Sequence, residues 1–238
     1  PVRIQIERNE EFCAHTKRHP QKIKMSMAFD ADGKIRGMRC DILADTGSAA
    51  HVGAAIFRFV SINATGPYRI QNADVHTRVV YTNQVAFGAM RSWGMTGLTF
   101  AVETMLNMAA DRLLLDPLTL REKNAIRDGD VLLCGETVPP GAKYTTCLKE
   151  MRRMATGLPT ANEMAGRYRR GVGWAGCFQG TNLHFGHPDR SDCRLVAESN
   201  GQITIQIGAC DIGQGLEAAL IAIVANALGG YPVSLIHF

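Results

Sequence analysis

Two short glycine-rich segments carry the residue types best suited to holding a polar ligand. One is Gly88-Ala89-Met90-Arg91-Ser92-Trp93-Gly94 and the other is Asp211-Ile212-Gly213-Gln214-Gly215. Each stands directly before an apolar stretch with helical spacing. Glycine lets a backbone come close to a ligand, and a helix N-terminus offers unpaired N–H groups to an anion. Arg91 can donate paired hydrogen bonds to an oxo group or phosphate, and Trp93 can stack on a flat substrate. Gln214 brings donors and acceptors to a polar heterocycle. Residue types alone equally allow a plain strand-to-helix turn with a surface Arg and a core Trp. In the same way, Asp211 can be no more than the capping carboxylate of a helix. Gly213 and Gly215 make no dinucleotide fingerprint, because the third glycine and the downstream acid are absent.

Other constellations point less clearly to chemistry. His15, His19 and His51 fit no familiar metal-ligand spacing, and His184 and His187 stand three apart in a Gly/Pro-containing loop. Ser48 lies beside Asp45 and His51, but no nucleophile elbow surrounds it. The seven cysteines include no C-x-x-C pair, so neither a zinc site nor an iron–sulfur loop is visible. Their odd number and irregular spacing suggest reduced thiols and a cytoplasmic location. The net charge of +4 comes without a long basic run, which gives no support to nucleic-acid binding. No signal peptide and no long apolar span is present, so no membrane role is expected.

The elements that must position these segments follow from periodicity. Ile23 to Phe29 and Ile35 to Leu43 alternate around Asp32-Gly33, which predicts a hairpin. Residues 45–55 are small and Gly/Ala-rich and read as a loop, and Val75 to Tyr81 reads as extended. Leu98, Ala101, Val102, Met105, Met108 and Ala109 predict a helix. Asp116-Pro117 opens another, and Lys143 to Thr156 a third. Val172 to Phe178 reads as a buried strand. Leu195–Ser199 and Gln202–Ile207 flank Asn200-Gly201, a second hairpin signal. Leu216 to Leu228 is an apolar helix ended by Gly229-Gly230. The mixture predicts an α+β fold of two subdomains, 1–156 and 157–238, joined by a connection over Gly157 to Gly166. The opening Pro1-Val2-Arg3 and a strand beginning at Ile236-His237-Phe238 suggest a piece of a longer chain.

Order and surroundings add a further reading. Pro1-Val2-Arg3, Arg8-Asn9-Glu10-Glu11-Phe12, Lys17-Arg18-His19-Pro20, Asp32-Gly33-Lys34-Ile35, Gly66-Pro67-Tyr68-Arg69-Ile70 and Thr82-Asn83 precede the Arg91 loop. Asp116-Pro117 with Leu120-Arg121 and Asn124 follows it, and then the Asp211 loop. In this order the chain resembles the molybdenum hydroxylase (xanthine dehydrogenase/aldehyde oxidase) family over nearly its whole length. The resemblance implies two incomplete subdomains of a molybdenum-cofactor-binding region. The cofactor implied is molybdopterin with molybdenum, in bacteria often as the cytosine dinucleotide. The reaction implied is hydroxylation of an N-heteroaromatic compound or aldehyde, with water as the oxygen source. Implied partners are the remainder of the molybdopterin subunit and the 2Fe–2S and FAD domains or subunits that carry electrons away.

By the same resemblance, Met90, Arg91, Ser92, Gly94, Ile212, Gly213, Gln214 and Gly215 would contact the cofactor. Trp93 and Arg58 would face substrate, and both loops would share one cleft. No residue would bind the metal directly. The family's base Glu would lie beyond Phe238, so an isolated chain is expected to be inactive. Met90, Ser92 and Met95-Thr96 depart from the family's usual Phe or Tyr, Gly and Pro-Gln. Ser92 also argues against a copper-bearing CO dehydrogenase, which has Cys there. These departures keep open a cofactor-free module that serves subunit contacts.

Overall fold

The computed structural model describes residues 2–157, 164–165, 167–169, 171–180 and 190–238. Its contacts divide the chain into two units, Pro1–Gly180 and Thr181–Phe238. Helices and mixed sheets occur in both, as an α+β fold requires.

In the first unit, α1 (Arg8–Ala14) and β1 (Lys17–Arg18) lead into β2 (Gln21–Phe29). The Asp30 carboxylate accepts hydrogen bonds from the amides of Asp32 and Lys34, and Gly33 takes φ 82°. The chain therefore turns back as β3 (Ile35–Asp45), antiparallel to β2. Helix α2 (Gly53–Ile62) crosses over to β4 (Ala73–Val80), which runs parallel to β3. Period-two alternation places Ile23, Met25, Met27, Met38, Cys40, Ile42 and Val75 on one face of this sheet. Against that face pack Ile56, Phe57 and Val60 of α2. The short strand β5 (Phe87–Gly88) then pairs with β1. Helix α3 (Met95–Leu113) adds Leu98, Val102 and Leu106 to the same core. The other face of the sheet carries exposed Lys22, Lys24, Arg39, His76 and Arg78.

Nothing in the sequence pattern anticipates α2. Its Ile56, Phe57, Phe59 and Val60 are β-branched or aromatic and favour strands on propensity. Spaced as they are, they bury one side of a helix, and tertiary burial overrides propensity.

Asp116 caps α4 (Pro117–Asn124) by accepting from the Thr119 amide at 2.8 Å. Leu120 enters the core. Arg121 is fully buried and donates to Glu103 Oε2 at 2.8 and 2.7 Å, to Asn107 Oδ1, and to the Pro117 and Trp174 carbonyls. The other oxygen of Glu103 accepts from the Tyr68 hydroxyl, which also bonds the Tyr144 hydroxyl. Asn124 receives the Ile35 amide at 2.8 Å and donates to the Gly33 carbonyl, tying α4 to the β2–β3 turn. Each of these buried polar groups has partners, as burial demands.

After the Arg-containing helix α5 (Tyr144–Ala155), β6 (Met164–Ala165) pairs with β7 (Tyr168–Arg169). The connection expected over Gly157 to Gly166 lies largely outside the described residues, as do His184 and His187. The strand expected over Val172 to Phe178 does not form. Gly173 and Gly176 weaken it, and the segment is held instead through the Trp174 carbonyl on Arg121.

The second unit is smaller. The hairpin of β8 (Cys193–Ala197) and β9 (Ile203–Ile207) turns at Asn200-Gly201, where Gly201 takes φ 85°. Helix α6 (Leu216–Ala227) then leads to β10 (Ile236–His237), parallel to β9. Its core comprises Ile203, Ile205, Val224, Ala225 and Ile236. The topology repeats that of β2, β3, α2 and β4: a hairpin, a helix, and a strand parallel to the second of the pair. The turn before the helix repeats as well. Asp45 accepts the Gly47 amide at 2.7 Å, and Asp211 accepts the Gly213 amide at 2.6 Å.

Candidate functional site

The Arg91 loop is placed by its anchors. Strands β1 and β5 pair in parallel, with Arg18 opposite Gly88, so the loop leaves the sheet beside Arg18. Three successive residues then turn left-handed: Ser92 at φ 75°, Trp93 at φ 46° and Gly94 at φ 84°. For a residue with a Cβ this conformation costs roughly 1–2 kcal/mol. The turn is held by its own backbone, Trp93 N–H to Met90 carbonyl and Met95 N–H to Ser92 carbonyl. It delivers the chain into α3, whose N-cap residue Gly94 provides no side-chain cap. Beyond the Met95 amide, which the Ser92 carbonyl takes, the first turn of this 19-residue helix lies beside Arg91 without a side-chain cap.

The side chains of this loop divide. Met90 and Arg91 are exposed, and Ser92 is exposed less fully at the same turn. Trp93 is half-buried and packs on the first core, with its Nε1 buried and unpaired. Gly94 is buried, and a Cβ there would lie 2.7 Å from Ile56 and Val60, so packing by itself accounts for glycine. Arg58 is exposed on α2.

Beneath the loop, His19 is buried edge-on against Phe57 at 5.4 Å. Burial holds its pKa below the usual 6.5, nearby His51 adds to this, and Asp45 and a bond to the Gly88 backbone oppose it. The fold thus prefers the neutral ring. The stabilising contribution is complete above the unfolded value near 6.5 and is lost as pH falls through the folded value. The thermal midpoint should therefore drop as pH is lowered from about 7 toward about 5, and His19→Gln should flatten that slope. An unchanged slope in a pH series of melting curves would refute the assignment.

The second loop closes on itself. Asp211 is exposed, and its carboxyl is held below the usual range, first by the Gly213 amide and then by the Leu216, Glu217 and Gln214 amides. Gln214 folds back, accepting the Ile212 amide at 2.7 Å and donating to the Cys210 carbonyl at 3.0 Å. Gly213 takes φ 96° and Gly215 takes φ 78°. A Cβ on Gly215 would meet nothing within 4 Å, so its bare backbone faces open space. Ile212 is exposed.

Left-handed turns containing glycine thus precede both α3 and α6. Residues 1–125 match the model of one molybdopterin cofactor-binding domain and residues 148–238 that of a second. The chain belongs to the molybdopterin-binding subunits of the xanthine dehydrogenase/aldehyde oxidase family of molybdenum hydroxylases. It is 34% identical over 229 residues to a probable xanthine dehydrogenase subunit of Bacillus subtilis, a match covering 96% of this chain and 31% of that protein. It is also 34% identical over 239 residues to the putative xanthine dehydrogenase molybdenum-binding subunit of Escherichia coli, covering 98% of this chain and 31% of that one. Its fold matches aldehyde oxidoreductase of Desulfovibrio gigas with a TM-score of 0.72 at 25% identity, over 94% of this chain and 25% of that one. The chain thus spans about a third of the length of the first two relatives.

The sequence gives no sign that Arg18, Gln21 and Thr96 contact the Arg91 loop from outside its glycine segment. Arg18 stands in the Lys-Arg-His-Pro landmark, but no periodicity signals a contact across 73 positions. Among the described residues, no helix is long and apolar enough to cross a membrane.

Proposed function

We propose that this chain contributes the molybdopterin-holding part of an enzyme that hydroxylates an N-heteroaromatic compound or an aldehyde, with water as the oxygen source. The carrying observation is the Arg91 turn, an exposed guanidinium beside the uncapped N-terminus of α3. When bound, the cofactor would supply oxygen transfer and accept two electrons.

The chain's own residues bind and orient. Arg91 and the first amides of α3 present donors to anionic oxygens, with Met90, Ser92 and Gly94 shaping the turn. The backbone of Ile212, Gly213 and Gly215 and the side chain of Gln214 would be the groups of this loop that hold a pterin. Trp93 and Arg58 face the substrate side. No general base is assigned among the residues of this chain. Further partners are the remainder of the molybdopterin subunit and iron–sulfur and FAD units, and the cofactor takes either the simple or the cytosine dinucleotide form.

A cofactor-free module is the second reading. It is favoured by the Asp211 loop, where Asp211 and Gln214 already satisfy the Gly213 and Ile212 amides. Turnover by the native assembly in isotopically labelled water separates the two. Label in the hydroxylated product supports the enzyme reading, and absence of turnover with both aldehydes and N-heteroaromatics supports the module.

A further inference from the structure

The Arg91 turn is gripped from a distant part of the chain. Arg18 Nη2 donates to the Arg91 carbonyl at 3.0 Å, and Arg18 Nη1 donates to Ser92 Oγ at 3.2 Å. Ser92 Oγ in turn shares a hydrogen bond with Thr96 Oγ1, on the first turn of α3. Gln21 Nε2 donates to the Gly94 carbonyl at 3.0 Å. The β1–β5 pairing holds the Arg18 backbone opposite Gly88, so this guanidinium reaches the loop from a fixed base.

Ser92 and Thr96 meet in this arrangement. A glycine at 92 would adopt φ 75° without strain. Serine there is strained, and its hydroxyl is the group that Arg18 and Thr96 hold. The serine hydroxyl thus ties a strained turn to Arg18 and Thr96 as a hydrogen-bonded clamp.

We propose that Arg18 is the positioning residue of the Arg91 loop. By bridging the Arg91 carbonyl and the Ser92 hydroxyl, it selects the left-handed turn and fixes where the Arg91 side chain and the α3 N-terminus present their donors. The assignment rests on the proposed function for its catalytic consequence only. Arg18 acts through the loop, by its bonds to the Arg91 carbonyl and the Ser92 hydroxyl.

Hydrogen exchange of the amides over residues 90–97, measured in the native assembly together with kinetics and molybdenum content, tests the proposal. Arg18→Met should raise exchange there by roughly tenfold or more, because the turn opens without its clamp. It should lower kcat by roughly tenfold or more with molybdenum content unchanged, since a small displacement of a donor is costly in rate. Arg18→Lys, which keeps the charge and one donor nitrogen but not the planar fork, should recover part of both. In a Ser92→Gly background the exchange effect of Arg18→Met should shrink, because glycine needs less support. Wild-type exchange and kcat in Arg18→Met would overturn the proposal. If Arg18→Met does not fold, Ser92→Ala removes only the hydroxyl. It should raise exchange over the same amides, and wild-type exchange in that variant would overturn the clamp. If the native assembly holds no molybdenum, the functional reading fails while the exchange result still decides the role of Arg18.

Discussion

Arg121→Met is expected to destabilise the first unit by about 3–5 kcal/mol, because it leaves Glu103 as a buried charge without its cation. Arg121 is fully buried and Glu103 is 4% exposed, so water cannot replace the lost bonds. Five donor contacts converge from this one guanidinium, two of them on Glu103 Oε2. The Trp174 carbonyl also loses its donor, which frees the segment around it. Tyr68 and Tyr144 join the same network, and burial is the first cause that pushes both phenols up, Tyr144 to about 12. They therefore act as neutral donors and do not relieve the charge on Glu103. Changing both partners, Arg121→Met with Glu103→Leu, should recover a large part of the loss, since no uncompensated charge remains. Denaturant titration of the single and double variants measures this. A single variant as stable as wild type would show that the pair is not the keystone of the unit.

Arg91→Ala in the native assembly should lower activity by roughly 100- to 1000-fold, the range seen when one preorganised donor to developing negative charge is removed. Stability should change by no more than about 0.5 kcal/mol, because the side chain is exposed and the loop is held by backbone bonds and by contacts to the Arg91 carbonyl. This contrast separates Arg91 from Arg121. Arg121 acts through the fold, whereas Arg91, on the proposed function, would act through a ligand. Equal losses of stability and activity in Arg91→Ala would assign the loop to the fold alone.

Much of this architecture was legible in the residues. Both hairpins were, because Asp32-Gly33 and Asn200-Gly201 sit between runs of period two. So were α3, α4 and α6, whose apolar spacing and flanking Asp116 or Gly229 are local signals. What escaped depends on contacts far apart in sequence. Helix α2 is built from strand-favouring residues and exists because a sheet lies beneath it. The Val172–Phe178 run has strand composition, but the Trp174 carbonyl within it is claimed by Arg121. The repeated topology of the two units leaves only a D-x-G trace at Asp45–Gly47 and Asp211–Gly213, too short to stand out in the sequence. At the candidate site, the glycine loops and Arg91 stand out by type and order. The clamp does not, since Arg18 and Ser92 lie 74 positions apart. The packing role of Gly94 is equally silent, because it is set by Ile56 and Val60 on a helix not anticipated.

If the two glycine turns serve a molybdenum cofactor, the metal must travel with the folded protein. Metal analysis of the protein purified with its native flanking sequence and partner subunits tests this most directly. About one molybdenum and one pterin per chain are expected, with both lost together on denaturation, as follows when binding is confined to the folded state. A correctly folded assembly with neither molybdenum nor pterin would contradict the assignment.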